Sequence, residues 1–230
     1  MLKTISMDAE KNILKLLADK SSTKQKVYQI TKEVFADLQE MLSAKSNRLN
    51  TVISDPYVDV LYEESGDFDA KLKFSGDTLL FHMHTNVFTF ESSHQIHKTS
   101  YVQEDRMRSF CGVINIYNFL SDSLKYNRLN DAGFMIARVF INKHRHFFVE
   151  GDKELGFLFN DFMNQKINKD HLDNIINSAM QYSLNFDLEA PSLNDVKIVS
   201  VHEILDINNN HKLKTSKRLG YKFSYETNNE

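Results

Sequence analysis

Cysteine, tryptophan, proline and glycine are scarce in this 230-residue chain, which has one Cys, no Trp, two Pro and seven Gly. The single thiol, Cys111, has no internal partner, which excludes a disulfide scaffold. So little glycine excludes a collagenous chain. It leaves no Gly-x-Gly-x-x-Gly fingerprint, no phosphate-cradling loop and no Gly-x-Ser-x-Gly elbow. No internal period suggests a repeat array. Long apolar runs are missing too: Gly133 to Ile141 spans nine residues and contains Arg138, against the roughly 20 residues that cross a bilayer. The stretch Met1 to Met7 runs straight into Asp8 and Glu10, without the apolar core of a secretory leader. A cytoplasmic location with no membrane partner is the expectation.

What is present is 41% hydrophobic residues, with 17 Phe and 9 Tyr, enough to offset the ordering entropy of a folded chain. Over residues 1–50 the apolar period is helical. Ser22 to Gln25 has the form of a capping box, and Val27, Ile30, Val34, Phe35, Leu38, Met41 and Leu42 recur at three- and four-residue spacing. Positions 27, 34 and 41 share a heptad phase, so helix 22–46 is the candidate surface for a homodimer.

From Asp55-Pro56 the period becomes two. Val58, Val60 and Tyr62 alternate with polar residues, as do Phe68, Ala70, Leu72 and Phe74, with Gly66-Asp67 and Gly76-Asp77 as turns. Further strands are predicted at Thr78–Thr85, Val87–Glu91, Thr99–Gln103, Ser109–Phe119, Phe134–Asn142 and Arg145–Glu150. Two helices follow. The first is lined by Leu155, Leu158, Phe159 and Phe162 and capped by Asp152. The second is lined by Leu172, Ile175, Ile176 and Ala179, starts near Asn168 or Asp170 and ends before Pro191. Strands at Val196–Ile204 and Leu219–Tyr225 complete the reading. The fold class is α+β: a helical arm over 1–50, then a domain over 51–226 with an antiparallel sheet of about six to eight strands and helices packed on one face, and a frayed tail over 227–230.

The formal net charge of −3 hides a partition. Residues 98–149 carry 8 basic and 4 acidic side chains, whereas 150–206 carry 4 and 11. Five of the seven arginines lie between Arg106 and Arg145. Arg106 and Arg108 share a face if extended, and Arg138 shares one with Phe134, Ile136 and Phe140. A buried guanidinium needs a partner, either an internal carboxylate such as Asp131 or Glu150 or an anionic ligand gripped by the planar fork. Arg106, Arg108, Arg128, Arg138 and Arg145 are therefore the candidate anion-binding residues. Basic residues interleaved with Tyr101, Phe110, Tyr117 and Tyr126 also suit nucleic acid. The sequence pI of about 6.3 and the lack of any reader motif keep that reading second.

Four of the nine histidines form His82-x-His84 and His144-x-His146. On a strand each pair points to one side and could offer two imidazoles to one transition metal. Gly76 followed by His82, His84 and Glu91 resembles the first metal motif of the cupins over about sixteen residues. The resemblance implies His82, His84 and Glu91 as ligands, although the glutamate stands several positions late and the second cupin motif is missing. The alternative assigns Leu79, Phe81 and Met83 to the core and turns His82 and His84 the other way. Cys111, inside an apolar strand, reads as an inert thiol.

Two function classes result. The first is a non-enzymatic interaction or regulatory module, with no cofactor, that binds an anionic small molecule or a protein partner at the arginines. The second is a metal-dependent enzyme built on His82, His84, Glu91, His144 and His146. An accessory nucleic-acid role is a further alternative.

Overall fold

The structure is a computed structural model that describes residues 2–129, 131–151, 154–157, 160–187, 190 and 192–201. Helix opens the chain without a break: α1 (Leu2–Leu16), a π-helical turn (Leu17–Ser21) and α2 (Ser22–Val52). The expected capping box at Ser22 is not a helix start. Ser21 has helical dihedrals and caps nothing, because the π turn absorbs one extra residue and carries the helix through.

Strands β1 (Val60–Glu64), β2 (Asp69–Phe74) and β3 (Asp77–Met83) follow, then α3 (Ser100–Glu104), β4 (Cys111–Leu120), α4 (Ser121–Lys125), β5 (Phe134–Asn142) and β6 (Phe147–Gly151). The short α5 (Glu154–Phe157), α6 (Lys169–Leu184) and α7 (Leu193–Val196) complete the described elements. The strands pair in chain order as a six-stranded antiparallel meander, which together with these helices is the expected α+β arrangement.

One face of the sheet is covered by α2 and α6. Val34, Phe35, Leu38 and Leu42 of α2 and Leu172, Ile175, Ile176 and Ala179 of α6 are buried against Leu72, Leu79, Phe81, Ile114, Ile116 and Ile141. The apolar side of helix 22–46, including Val27 and Val34 of its heptad phase, therefore lies inside this chain. Closest approach occurs at Gly112, where an added Cβ would stand 2.1 Å from Thr31 Oγ1 and 2.9 Å from its Cγ2. Thr31 satisfies its buried hydroxyl on the Val27 carbonyl at 2.8 Å. Farther along α2, the buried Lys45 ammonium lies 2.7 Å from Asp173 of α6 and donates to Asn177. By contrast, residues 8–22 are exposed throughout, among them Ile13, Leu14, Leu16 and Leu17.

The other face is covered only in part, by a strap over residues 84–110. Ile96 and Val102, with Phe90 and Tyr101 packed beside them, cover Cys111, Val113, Phe140 and Phe148. The strap departs from the expected strands. Val87–Glu91 makes a single bridge, Phe88 to Cys111, and residues 95–109 form three short helical turns. Each turn begins on a side chain that accepts a backbone N–H: His94 from Ile96, Thr99 from Val102 and Asp105 from Met107. Local caps of this kind compete with strand pairing. Arg106 and Arg108 accordingly sit in a helical turn rather than on a strand face.

Arg138 also differs from expectation. A register shift between Ile116 and Tyr117 sends Phe134 and Ile136 to the helix-covered side, while Arg138 stays with Phe140 on the other and is 47% exposed. Of the expected helix over 155–162, α5 is helical but Asn160 to Phe162 are not, with Phe162 in a turn and buried in the strap cluster; Asp152, Leu158 and Phe159 lie outside the described residues. The strand expected at Val196–Ile204 begins in α7 and continues without strand as far as Val201. The remainder of it, Leu219–Tyr225 and the 227–230 tail lie outside the described residues.

Two outcomes follow from this packing. Gly112→Ala should lower unfolding free energy in urea by about 1–3 kcal/mol through overpacking against Thr31. Burial alone would raise the Asp173 carboxyl, but the hydrogen bond and charge of Lys45 outweigh it and hold the group below its ordinary 3.8. The stabilisation is thus full above about pH 4 and lost as pH falls through the depressed folded value. Asp173→Asn should destabilise the protein at neutral pH and flatten this acid limb in denaturant titrations.

Candidate functional site

The partly open face carries its polar residues in one line. The strand registers place Asp69 beside His82, His82 beside Asn115, Asn115 beside Arg138, and Arg138 beside Glu150. Five strands, β2 to β6, thus contribute one residue each to a row that runs across the sheet for about 19 Å at the usual strand spacing. Both ends of the row are paired. Asp69 Oδ1 is 2.7 Å from His82 Nδ1, and Arg138 Nη2 donates to Glu150 Oε2. The centre is not: Asn115 is only 7% exposed, and its side-chain amide makes no hydrogen bond to any described residue.

Above Asn115 and Arg138 the strap arches away and leaves a cavity of about 510 Å³. Its floor is Val113, Asn115, Met135, Arg138 and Phe140; its walls are His84, Phe88, Phe90, His94 and Glu150, with Glu91 at the strap. Aromatic packing holds the roof. Phe90 lies 5.1 Å from Phe140 and 5.6 Å from Phe148, centroid to centroid, and stacks on His94 at 4.6 Å. The Arg138 guanidinium lies 5.3 Å from the Phe140 centroid.

Hydrogen bonding assigns the imidazole protons. The His84 Nδ1 accepts the Asn86 N–H at 3.0 Å, and His94 Nδ1 accepts that of Ile96 at 3.2 Å. An amide can only donate, so a neutral ring at either site keeps its proton on Nε2. The Asp69 carboxylate makes the opposite choice at His82, holding the proton on Nδ1 and leaving Nε2 as an acceptor. The rim of the cavity therefore offers donors: His84, His94, Arg138 and the amide of Asn115. His94 Nε2 is 3.9 Å from Glu150 Oε1.

The other arginines are dispersed. Arg108 binds the Tyr101 carbonyl at 2.7 Å and Glu104 at 2.8 Å, with its guanidinium 4.4 Å from the Tyr101 ring centroid. Arg128 is buried near Asp131 at 3.9 Å. Arg145, in a left-handed turn at φ 64°, reaches Glu33 and Asp37 on α2, each at 3.3 Å. Arg106 is exposed and lines a separate cavity of about 730 Å³ with Phe110. The arginines close in sequence are not brought together in space.

Nor do the histidine pairs converge. The rings of His82 and His84 are 6.3 Å apart and nearly perpendicular, and Glu91 lines the cavity on the strap. His144 and His146 lie in the β5–β6 turn region. His144 Nδ1 is 3.2 Å from the Tyr101 hydroxyl, and His146 Nδ1 is 2.9 Å from the Phe162 carbonyl. Among the described residues, no group of three or more His, Cys, Asp or Glu side chains is placed to hold one metal ion.

Around Tyr101 the environment is tight. Burial, then the charges of Lys143, Arg108 and Lys26, lowers the His144 pKa, while burial raises that of the Tyr101 hydroxyl despite its Asn142 hydrogen bond. Burial likewise raises the Cys111 thiol well above its ordinary value, which makes it a poor nucleophile. No helix among the described residues is long and apolar enough to cross a membrane.

Asn115 escaped the sequence reading. Its signal was a buried strand that carries two amides, Asn115 and Asn118, among apolar residues, positions where burial demands a partner. Comparison with protein-family models, curated proteins and solved structures returned no match.

Nitrogen-15 spectra of the rings test the proton assignment. At a pH where the rings are neutral, His82 should report Nδ1–H, and His84 and His94 Nε2–H. Asp69→Asn should shift the His82 pattern alone; Nε2–H on His82 in the unmodified protein would refute the assignment.

Proposed function

We propose that this chain is a non-enzymatic interaction module whose cleft, between the open sheet face and the strap, holds a small anionic molecule. The observation that carries this reading is the Asn115 amide, buried in the floor of the cavity without a hydrogen-bond partner among the described residues. Its polar atoms open onto the cavity, where a ligand can take hydrogen bonds that no described residue supplies. Asn115 can donate and accept at once, so it suits a carboxylate, carboxamide or phosphate oxygen beside a second polar atom.

Arg138 is the charged contact in this reading. One hydrogen bond to Glu150 uses one of five guanidinium N–H donors, and its half-exposed side chain lies at the cavity. The Nε2–H groups of His84 and His94 add donors, and Phe88, Phe90 and Phe140 supply apolar walls for the body of the ligand. Glu150 and Glu91 disfavour a ligand that is anionic throughout. The fit is best for one acidic group on a largely apolar or planar frame. Of the five arginines considered from the sequence, this role falls to Arg138.

A thermal-shift panel of mononucleotides, aromatic carboxylates and sugar phosphates at millimolar concentration should contain stabilising compounds, confirmed by calorimetry. Arg138→Met and Asn115→Leu should each weaken such a compound by roughly 10-fold or more, the expected cost of losing a hydrogen bond to a charged group. Both variants should keep a cooperative melt. An empty panel, or binding that both variants leave unchanged, would overturn the reading.

A further inference from the structure

Most basic side chains on the body are neutralised within the chain. Arg108 and Lys143 share Asp105 and Glu104, Lys32 meets Asp67, Lys45 meets Asp173, and Lys169 meets Glu40. Among the basic side chains that make no ion pair with a described residue, Lys11, Lys15, Lys20 and Lys24 lie on the opening helix and Arg106 on the strap.

Their sequence spacing is four, five and four. On an uninterrupted α-helix the five-residue step would rotate the line away from a single face. Here that step crosses the π turn Leu17–Ser21, whose i to i+5 bonding takes up the extra residue. Lys15 and Lys20 thereby stay one turn apart on the same side. Lys20 and Lys24 do share a side: their ammonium groups lie 5.8 and 5.6 Å from the centroid of one ring, Phe110. That ring in turn lines the 730 Å³ cavity with Arg106 and His97. The result is a line of positive charge about 20 Å long, one charge per turn, that ends at a cavity bearing another. Lys11, Lys15, Lys20 and Arg106 are all exposed. The acids of this helix, Asp8, Glu10 and Asp19, make no ion pair with the lysines.

We infer that this lysine line and Arg106 form a binding surface for a chain of phosphate groups, either the backbone of single-stranded nucleic acid or an inorganic polyphosphate. Regularly spaced, unpaired cations suit a polyanion whose charges repeat along its length, and counterion release drives such contacts. The Phe110 ring is already covered by the lysines, so phosphate contact rather than base stacking supplies the affinity. The lysine line lies outside the Asn115 cleft, although the Arg106 cavity shares Thr89 and Phe90 with it, and the inference does not depend on that reading.

The test uses the full chain and 5′-fluorescein dT20 followed by anisotropy. Binding should be measurable at 50 mM salt. With about four phosphate contacts it should weaken about 50-fold by 200 mM. The exposed pair Lys20→Glu/Arg106→Glu should cost at least 10-fold, with an unchanged melt. Lys169→Glu, which removes a cation already paired with Glu40, should stay within twofold. Displacement of dT20 by polyphosphate at equal phosphate concentration identifies a surface for any phosphate chain; failure to displace identifies nucleic acid as the source. Absence of binding to either probe at 50 mM salt and 50 µM protein overturns the inference. So does an equal loss from Lys169→Glu and from the double variant.

Discussion

Everything else in this protein is arranged around the contact of α2 with the sheet. A 31-residue helix lies across a six-stranded meander, and its approach is set where Thr31 meets Gly112. A larger residue in the strand would force the helix outward along a line of buried side chains, because interiors packed to crystal density do not yield smoothly. The same contact commits one face of the sheet to helices. The other face must then be covered by whatever chain remains between β3 and β4.

That remaining chain is too polar to cover the face completely. The strap buries aromatic and branched residues over the ends of β4, β5 and β6, and its turns are held by His94, Thr99 and Asp105 acting on their own backbone. Over the middle of the sheet it lifts away. There the cross-strand row of Asp69, His82, Asn115, Arg138 and Glu150 is left partly uncovered. A carboxylate bonds its neighbour at both ends, which leaves the amide at the centre without a partner among the described residues. In physical terms the row is a paired frame around an unpaired middle.

Charge follows a similar division. Carboxylates of α2 meet Arg145 and Lys169, and the buried Lys45 ties α2 to α6, so the body of the protein is close to internally balanced. Unpaired lysines also line the opening helix, and Arg106 on the strap is unpaired as well. Burial of the His144 ring lowers its pKa first, and the positive charges of Lys143, Arg108 and Lys26 lower it further. Near neutrality over the whole chain thus coexists with a local excess at one end.

Much of the architecture was legible from residue order. Periodicity is a local property, so the long helix, α6 with its Asn168 cap, and all six observed strands could be read directly, and so could the opposite orientations of Leu79, Phe81 and Met83 against His82 and His84. The strap was misread because its Val, Phe and Thr residues have strand propensity, while the capping side chains that override it act through three-dimensional geometry. The grouping of arginines failed for a related reason: nearness in sequence says little about nearness in space once turns intervene. Residue order determined which face most strand residues take, except where the β5 register shift turns Phe134 and Ile136 away from Arg138. Only the tertiary structure decided which residues stand side by side, because register depends on turn geometry and on a partner strand that can be dozens of residues away. Asp69, His82, Asn115, Arg138 and Glu150 are far apart in the chain, and pairing alone makes them neighbours.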